Sequence, residues 1–94
     1  MGYRKQPFGY RMQSGEIVID ETEAILVQEI FNRYTAGESL GKLTEALHQQ
    51  DVPYDEGRLW NKNMVARILA DQRYTGIEAY PKIIEPDQLS TAHE

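Results

Sequence analysis

Lys62, Asn63 and Arg67 lie within six residues of one another. Wound at about 100° per residue, a helix over 62–70 places Asn63, Ala66, Arg67 and Ala70 on one side, with Lys62 near its edge. Met64, Val65, Ile68 and Leu69 fall on the other side. Asn and Arg carry paired hydrogen-bonding groups that match adenine and guanine edges, so Lys62, Asn63 and Arg67 are the residues expected in a duplex groove. The two alanines keep the outer surface low, so a backbone or base edge can approach closely. No acid interrupts that face before Asp71. This chemistry is recognition of a nucleic-acid duplex rather than bond-making. A plain amphipathic helix, in which alanine is simply a good helix former, accounts for the same residues.

Other bases extend the same reading. Arg4 and Lys5 precede Pro7 on a polar arm, where they could follow phosphates or enter a minor groove. Arg11, Arg58 (beside Trp60) and Arg73 are further candidates for phosphates; surface solubility explains Arg11 and Arg58 equally well. Tyr10, Tyr34, Trp60 and Tyr74 read as core aromatics with polar tips, and Tyr74, just before Gly76, is the one expected nearest the nucleic acid. Catalysis finds little support. His48 and His93 stand in no metal-ligand or triad spacing, and Ser14, Ser39 and Ser90 have turn or cap explanations. With no cysteine and no glycine-rich phosphate loop, no catalytic residue, metal or cofactor is expected.

The net charge of −5 opposes a polyanionic partner at face value, but its distribution is uneven. Residues 1–15 hold three bases and no acid. Residues 16–57 hold two bases against ten acids, and residues 58–82 hold five bases against two. Such a chain can present a basic face while its other side is acidic. No apolar run is long enough for a membrane span and no signal-peptide pattern opens the chain, so a cytosolic protein fits best.

The elements that must position these residues are legible in the pattern. Residues 8–20 read as a β-hairpin: Phe8, Tyr10 and Met12 alternate with polar neighbours, Ser14-Gly15 turns, and Ile17-Val18-Ile19 returns. Asp20-Glu21-Thr22-Glu23 is a capping box, with Glu23 expected to reach back to the start of a helix running to about Tyr34. Gly37 stands where a left-handed residue ends that helix. Ser39 caps a second helix, about 40–49, and the stretch from Gln50 to Gly57 is a loop. Trp60 before Asn61 staples onto Val65 at the start of the third helix. A short extended piece around 77–84 and a polar terminus follow. The fold class is therefore α+β and mainly helical: an N-terminal β-hairpin with a three-helix core containing a loose helix-turn-helix.

Between Pro7 and Gly76 the anchors run in a fixed order. They are Pro7-Phe8-Gly9-Tyr10, then Val27, Ile30-Phe31, Tyr34 and Gly37, then Leu40, Leu43 and Leu47, then Trp60, and finally Val65, Ile68-Leu69, Tyr74 and Gly76. This series resembles the recombinase domain of the large serine recombinases, the integrases and transposases that move phages and mobile elements in and out of bacterial genomes. The resemblance implies a basic arm (1–6), a recombinase-type DNA-binding domain (7–84) and the start of a linker (85–94). It also implies that a catalytic domain bearing the nucleophilic serine would precede Met1, and that a zinc ribbon with a coiled coil would follow Glu94. The implied partners are double-stranded DNA and the other domains of the parent recombinase, in a bacterial or phage-encoded cytoplasmic protein, with the isolated domain a monomer. Two alternatives stand beside this reading: an acidic protein-interaction module, and a small stand-alone DNA-binding regulator.

Overall fold

The computed structural model describes residues 6–50, 54 and 59–92. Arg4, Lys5, Arg58 and His93 lie outside the described residues. Strands β1 (Tyr10–Gln13) and β2 (Glu16–Ile19) pair antiparallel, with Tyr10 opposite Ile19 and Met12 opposite Ile17. Helices α1 (Glu21–Thr35), α2 (Leu40–His48) and α3 (Lys62–Ala70) follow, then a single 3₁₀ turn (Gln72–Thr75) and a short helix α4 (Pro86–Ala92). Mainly helical α+β is the observed class, with one helix more than the pattern predicts.

Local chemistry explains the helix boundaries. Asp20, Ser39 and Asn61 each cap the helix that follows by accepting an N–H three residues ahead. At the end of α1, Gly37 takes φ = 110°. The Glu38 N–H then donates to Arg33 O and the Gly37 N–H to Tyr34 O, the paired bonds of a Schellman ending. The capping box forms only in part. Glu23 Oε1 accepts from the Gly9 N–H at 2.8 Å, while the Asp20 N–H donates to Gly9 O at 2.9 Å. Glu23 thus ties α1 to the strand ahead of it rather than closing on its own cap.

One apolar core gathers Phe8, Tyr10, Val27, Ile30, Phe31, Leu43, Trp60, Val65, Tyr74 and Ile84, all 3% exposed or less. In place of the expected extended piece, residues 77–80 form a turn closed by the Tyr80 N–H on Ile77 O, and 81–84 continue without strand pairing. Pro81 has no N–H to give a ladder, and its carbonyl accepts the Tyr10 hydroxyl at 2.7 Å. The N–H groups of Ile83 and Ile84 both donate to Tyr74 O, which brings the two isoleucines into the core. The expected polar terminus is helix α4. Pro86 suits the first helical position, and Asp87 suits the positive end of the helix. Leu89 and Ala92 pack against the core, and Gln88 Nε2 donates to Asn32 Oδ1 of α1 at 2.8 Å. Among the described residues, no helix is long and apolar enough to cross a membrane.

Candidate nucleic-acid interface

Helix α3 occupies the predicted residues and shows the predicted faces. Met64, Val65, Ile68 and Leu69 are buried. Lys62, Asn63, Arg67 and Ala70 are exposed, and Ala66 is half-buried. Its start is held from three sides. Asn61 Oδ1 caps the Met64 N–H at 2.9 Å. His48, at the end of α2, donates from Nε2 to Trp60 O at 2.6 Å. The Trp60 ring meets Phe8 and Tyr54 edge-on, with centroids 4.8 and 5.2 Å apart. His48 therefore has a structural task, joining the end of α2 to the residue that leads into α3.

Phe8 holds the other end as well. Its carbonyl accepts the Tyr74 hydroxyl at 2.6 Å, and the Tyr74 ring stacks on Tyr10 at 5.7 Å. The Phe8-Gly9-Tyr10 segment thus grips the chain just before α3, through Trp60, and just after it, through Tyr74. Gly9 is needed at this crossing. Its φ is 105°, and a Cβ there would stand 3.0 Å from Ile83 Cδ1 and 3.3 Å from Val27 Cγ2.

Two of the expected contact residues are displaced by these interactions. Tyr74, expected nearest the nucleic acid, is 1% exposed and belongs to the core. Burial, then the nearby Asp71 carboxylate, pushes its hydroxyl above the ordinary tyrosine value. Arg73, expected on a phosphate, is engaged by Asp71: Oδ2 meets Nη2 at 2.7 Å and Oδ1 meets Nε at 2.9 Å. Its guanidinium also lies 5.3 Å from the Tyr80 ring centroid. That hydrogen-bonded pairing holds the Arg73 pKa above its ordinary value.

The remaining bases divide into two sets. Arg33 is paired with Glu29 and Glu38, and Lys82 with Glu85. Arg11, Lys42, Lys62 and Arg67 carry no ion pair with an acid among the described residues, and all four are exposed. The structure brings Lys62 against the start of α2: its Cε and Nζ stand 3.5 and 3.8 Å from where a Cβ on Gly41 would be. Lys42 occupies the same first turn. Arg67 lies five residues further along α3, about 7.5 Å along its axis. Arg11 stands apart on β1, opposite Val18.

Lys42 is the residue that the sequence reading passed over, although a signal for it exists. The first turn of α1 carries Glu21 and Glu23, whereas the first turns of α2 and α3 carry no acid. Helix starts normally attract carboxylates, because their free N–H groups and the helix dipole make them positive. These two neighbouring starts carry Lys42 and Lys62 instead, although Glu38, just ahead of the α2 cap, is close enough to Lys42 to share its field. Among the described residues, no cluster of His, Asp or Glu is arranged to hold a metal ion.

Comparison with known proteins accords with this architecture. A search of curated protein sequences finds no significant match. Among solved structures the chain is similar to the protein in a crystal structure of an LSR–DNA complex, LSR standing for large serine recombinase. The TM-score is 0.73 at 20% sequence identity, over 97% of this chain and 32% of that one. The chain thus spans about a third of that protein's length. The Recombinase family model matches residues 21–93, which include all four helices and the α3 surface. On that match the chain belongs to the Recombinase family.

Proposed function

We propose that this chain is a non-catalytic DNA-binding domain of a site-specific serine recombinase, and that α3 faces duplex DNA. The observation that carries the reading is the outer face of α3. Lys62 and Arg67 are exposed there without acid partners, beside Asn63 and two alanines, while Arg33, Arg73 and Lys82 are neutralised elsewhere. In this arrangement Asn63 and Arg67 address base edges. Lys62, Lys42 and the free N–H groups at the two helix starts receive phosphates. Arg11 and, outside the described residues, Arg4, Lys5 and Arg58 supply further phosphate contacts. Strand breakage belongs to a separate catalytic domain of the parent recombinase, and the isolated domain is a monomer. A relative solved with DNA lends support through its fold.

The test is fluorescence anisotropy of a labelled mixed-sequence duplex, titrated with the domain at several salt concentrations. Four phosphate contacts correspond to a log–log slope of about −3.6, at about −0.9 per neutralised phosphate. Non-specific affinity of about 10⁻⁴–10⁻⁶ M sets the concentration range the assay must cover. Absence of salt-sensitive binding at low salt across that range overturns the DNA reading.

A further inference from the structure

The pairing of Asp71 with Arg73 separates two tasks that one side chain performs. Oδ1 accepts the Arg73 N–H at 3.0 Å and so caps the 3₁₀ turn that follows α3. Oδ2 takes no part in that cap. Its hydrogen bonds are with the guanidinium, at 2.7 Å to Nη2 and 3.2 Å to Nε. Capping needs a single acceptor oxygen, which an uncharged side chain supplies equally well. The carboxylate charge is therefore spent on Arg73.

Arg73 otherwise has the properties of a phosphate ligand. It follows α3 by three residues, and its side chain remains 42% exposed, against 15% for Asp71. The forked guanidinium matches a phosphate as well as it matches a carboxylate. Asp71 holds it in the same turn of chain, where the effective concentration of the competing anion is high. A phosphate approaching this end of α3 meets a neutral pair, whereas Arg67 one turn earlier presents a full charge.

We infer that Asp71 withholds Arg73 from DNA, so that this one carboxylate sets the affinity of the surface below what its arginines could deliver. The inference rests on the DNA-binding reading above and concerns its regulation by a neighbouring residue. Replacing Asp71 by Asn keeps the capping oxygen and removes the charge that pairs with the guanidinium, leaving Tyr80 as its remaining neighbour.

The experiment is a double-mutant cycle of wild type, Asp71→Asn, Arg73→Ala and the double variant. Each is titrated into the same labelled mixed-sequence duplex at several salt concentrations. Asp71→Asn should tighten binding about fivefold to tenfold near 0.1 M salt and steepen the log–log slope by about 0.9, as one added phosphate contact requires. Arg73→Ala alone bares the Asp71 carboxylate and should weaken binding, whereas the double variant, in which this turn is again neutral, should bind as wild type does. A gain that survives the loss of Arg73 overturns the inference, because the carboxylate then acts only by repelling DNA. Weaker binding by Asp71→Asn, or by the double variant relative to wild type, also overturns it, because Arg73 then already touches DNA with Asp71 as its support. Wild type that binds no duplex defeats the DNA reading itself, whereas wild type that binds without coupling defeats only this inference. Thermal melting accompanies each variant, and Asp71→Ser, which keeps a hydroxyl for the cap, replaces Asp71→Asn should the latter melt early.

Discussion

Raising the pH past the ordinary tyrosine pKa should destabilise this domain, and the reason lies beneath α3. Tyr74 is almost wholly buried with its hydroxyl 2.6 Å from Phe8 O, and Tyr10 is equally buried with its hydroxyl 2.7 Å from Pro81 O. In both, burial first and the Asp71 charge second raise the folded pKa above the ordinary value of 10.0. Ionisation would leave an anion facing a carbonyl oxygen, with the donated hydrogen gone. Below pH 10 the folded and unfolded chains both keep these protons, so stability is insensitive to them. Above it the unfolded chain releases the protons while the folded chain retains them. Each retained proton then removes about 1.4 kcal/mol of stability per pH unit, and two remove about 2.7 kcal/mol. Against a total of about 5–15 kcal/mol, each pH unit above 10 thus removes a large share of the stability. Urea unfolding followed by circular dichroism between about pH 8 and 11.5 measures it. Tyr74→Phe should lose about 0.5–1.5 kcal/mol at neutral pH through its missing hydrogen bond, and its alkaline slope should be about half that of wild type. An unchanged slope in Tyr74→Phe refutes the reasoning. So does ultraviolet titration in which all six tyrosines of the folded chain ionise together near pH 10. Either result would reopen Tyr74 as a surface residue.

Two further outcomes follow from the placement of α3. Trp60→Ala, which removes a side chain that is 3% exposed and packed on Phe8 and Tyr54, should cost about 3–5 kcal/mol, measured by chemical denaturation. A cost under about 1 kcal/mol would mean that the indole does not anchor the start of the helix. Arg67→Ala should leave the melting temperature nearly unchanged, since the residue is exposed and alanine favours the helix. It should also flatten the salt dependence of duplex binding by about 0.9 if Arg67 contacts a phosphate, or cost about 1–3 kcal/mol of discrimination if it reads a base. Loss of stability with unaltered binding would make it a structural residue.

The secondary structure and the two faces of α3 were readable without coordinates because their causes are local. Asp20, Ser39 and Asn61 cap through bonds to residues three positions away, Gly37 ends α1 within its own turn, and the 3.6-residue period sorts Val65 from Arg67. Helix α4 was readable in principle from Pro86-Asp87 and the Leu89–Ala92 spacing, but a stripe of two apolar residues is too short to announce a packed face. What the tertiary structure alone decided was which polar side chains remain available to a ligand. Tyr74 is withdrawn by a carbonyl 66 positions earlier, Tyr10 is tied to one 71 positions later, and Glu23 leaves its own cap for the Gly9 N–H. Asp71 and Arg73 are only two residues apart, yet their pairing depends on how the turn after α3 is oriented beneath Tyr80. Residue type tells what a side chain can bond, and local period tells which way it leaves its own helix. Competition among partners brought together by folding decides which of those bonds is made.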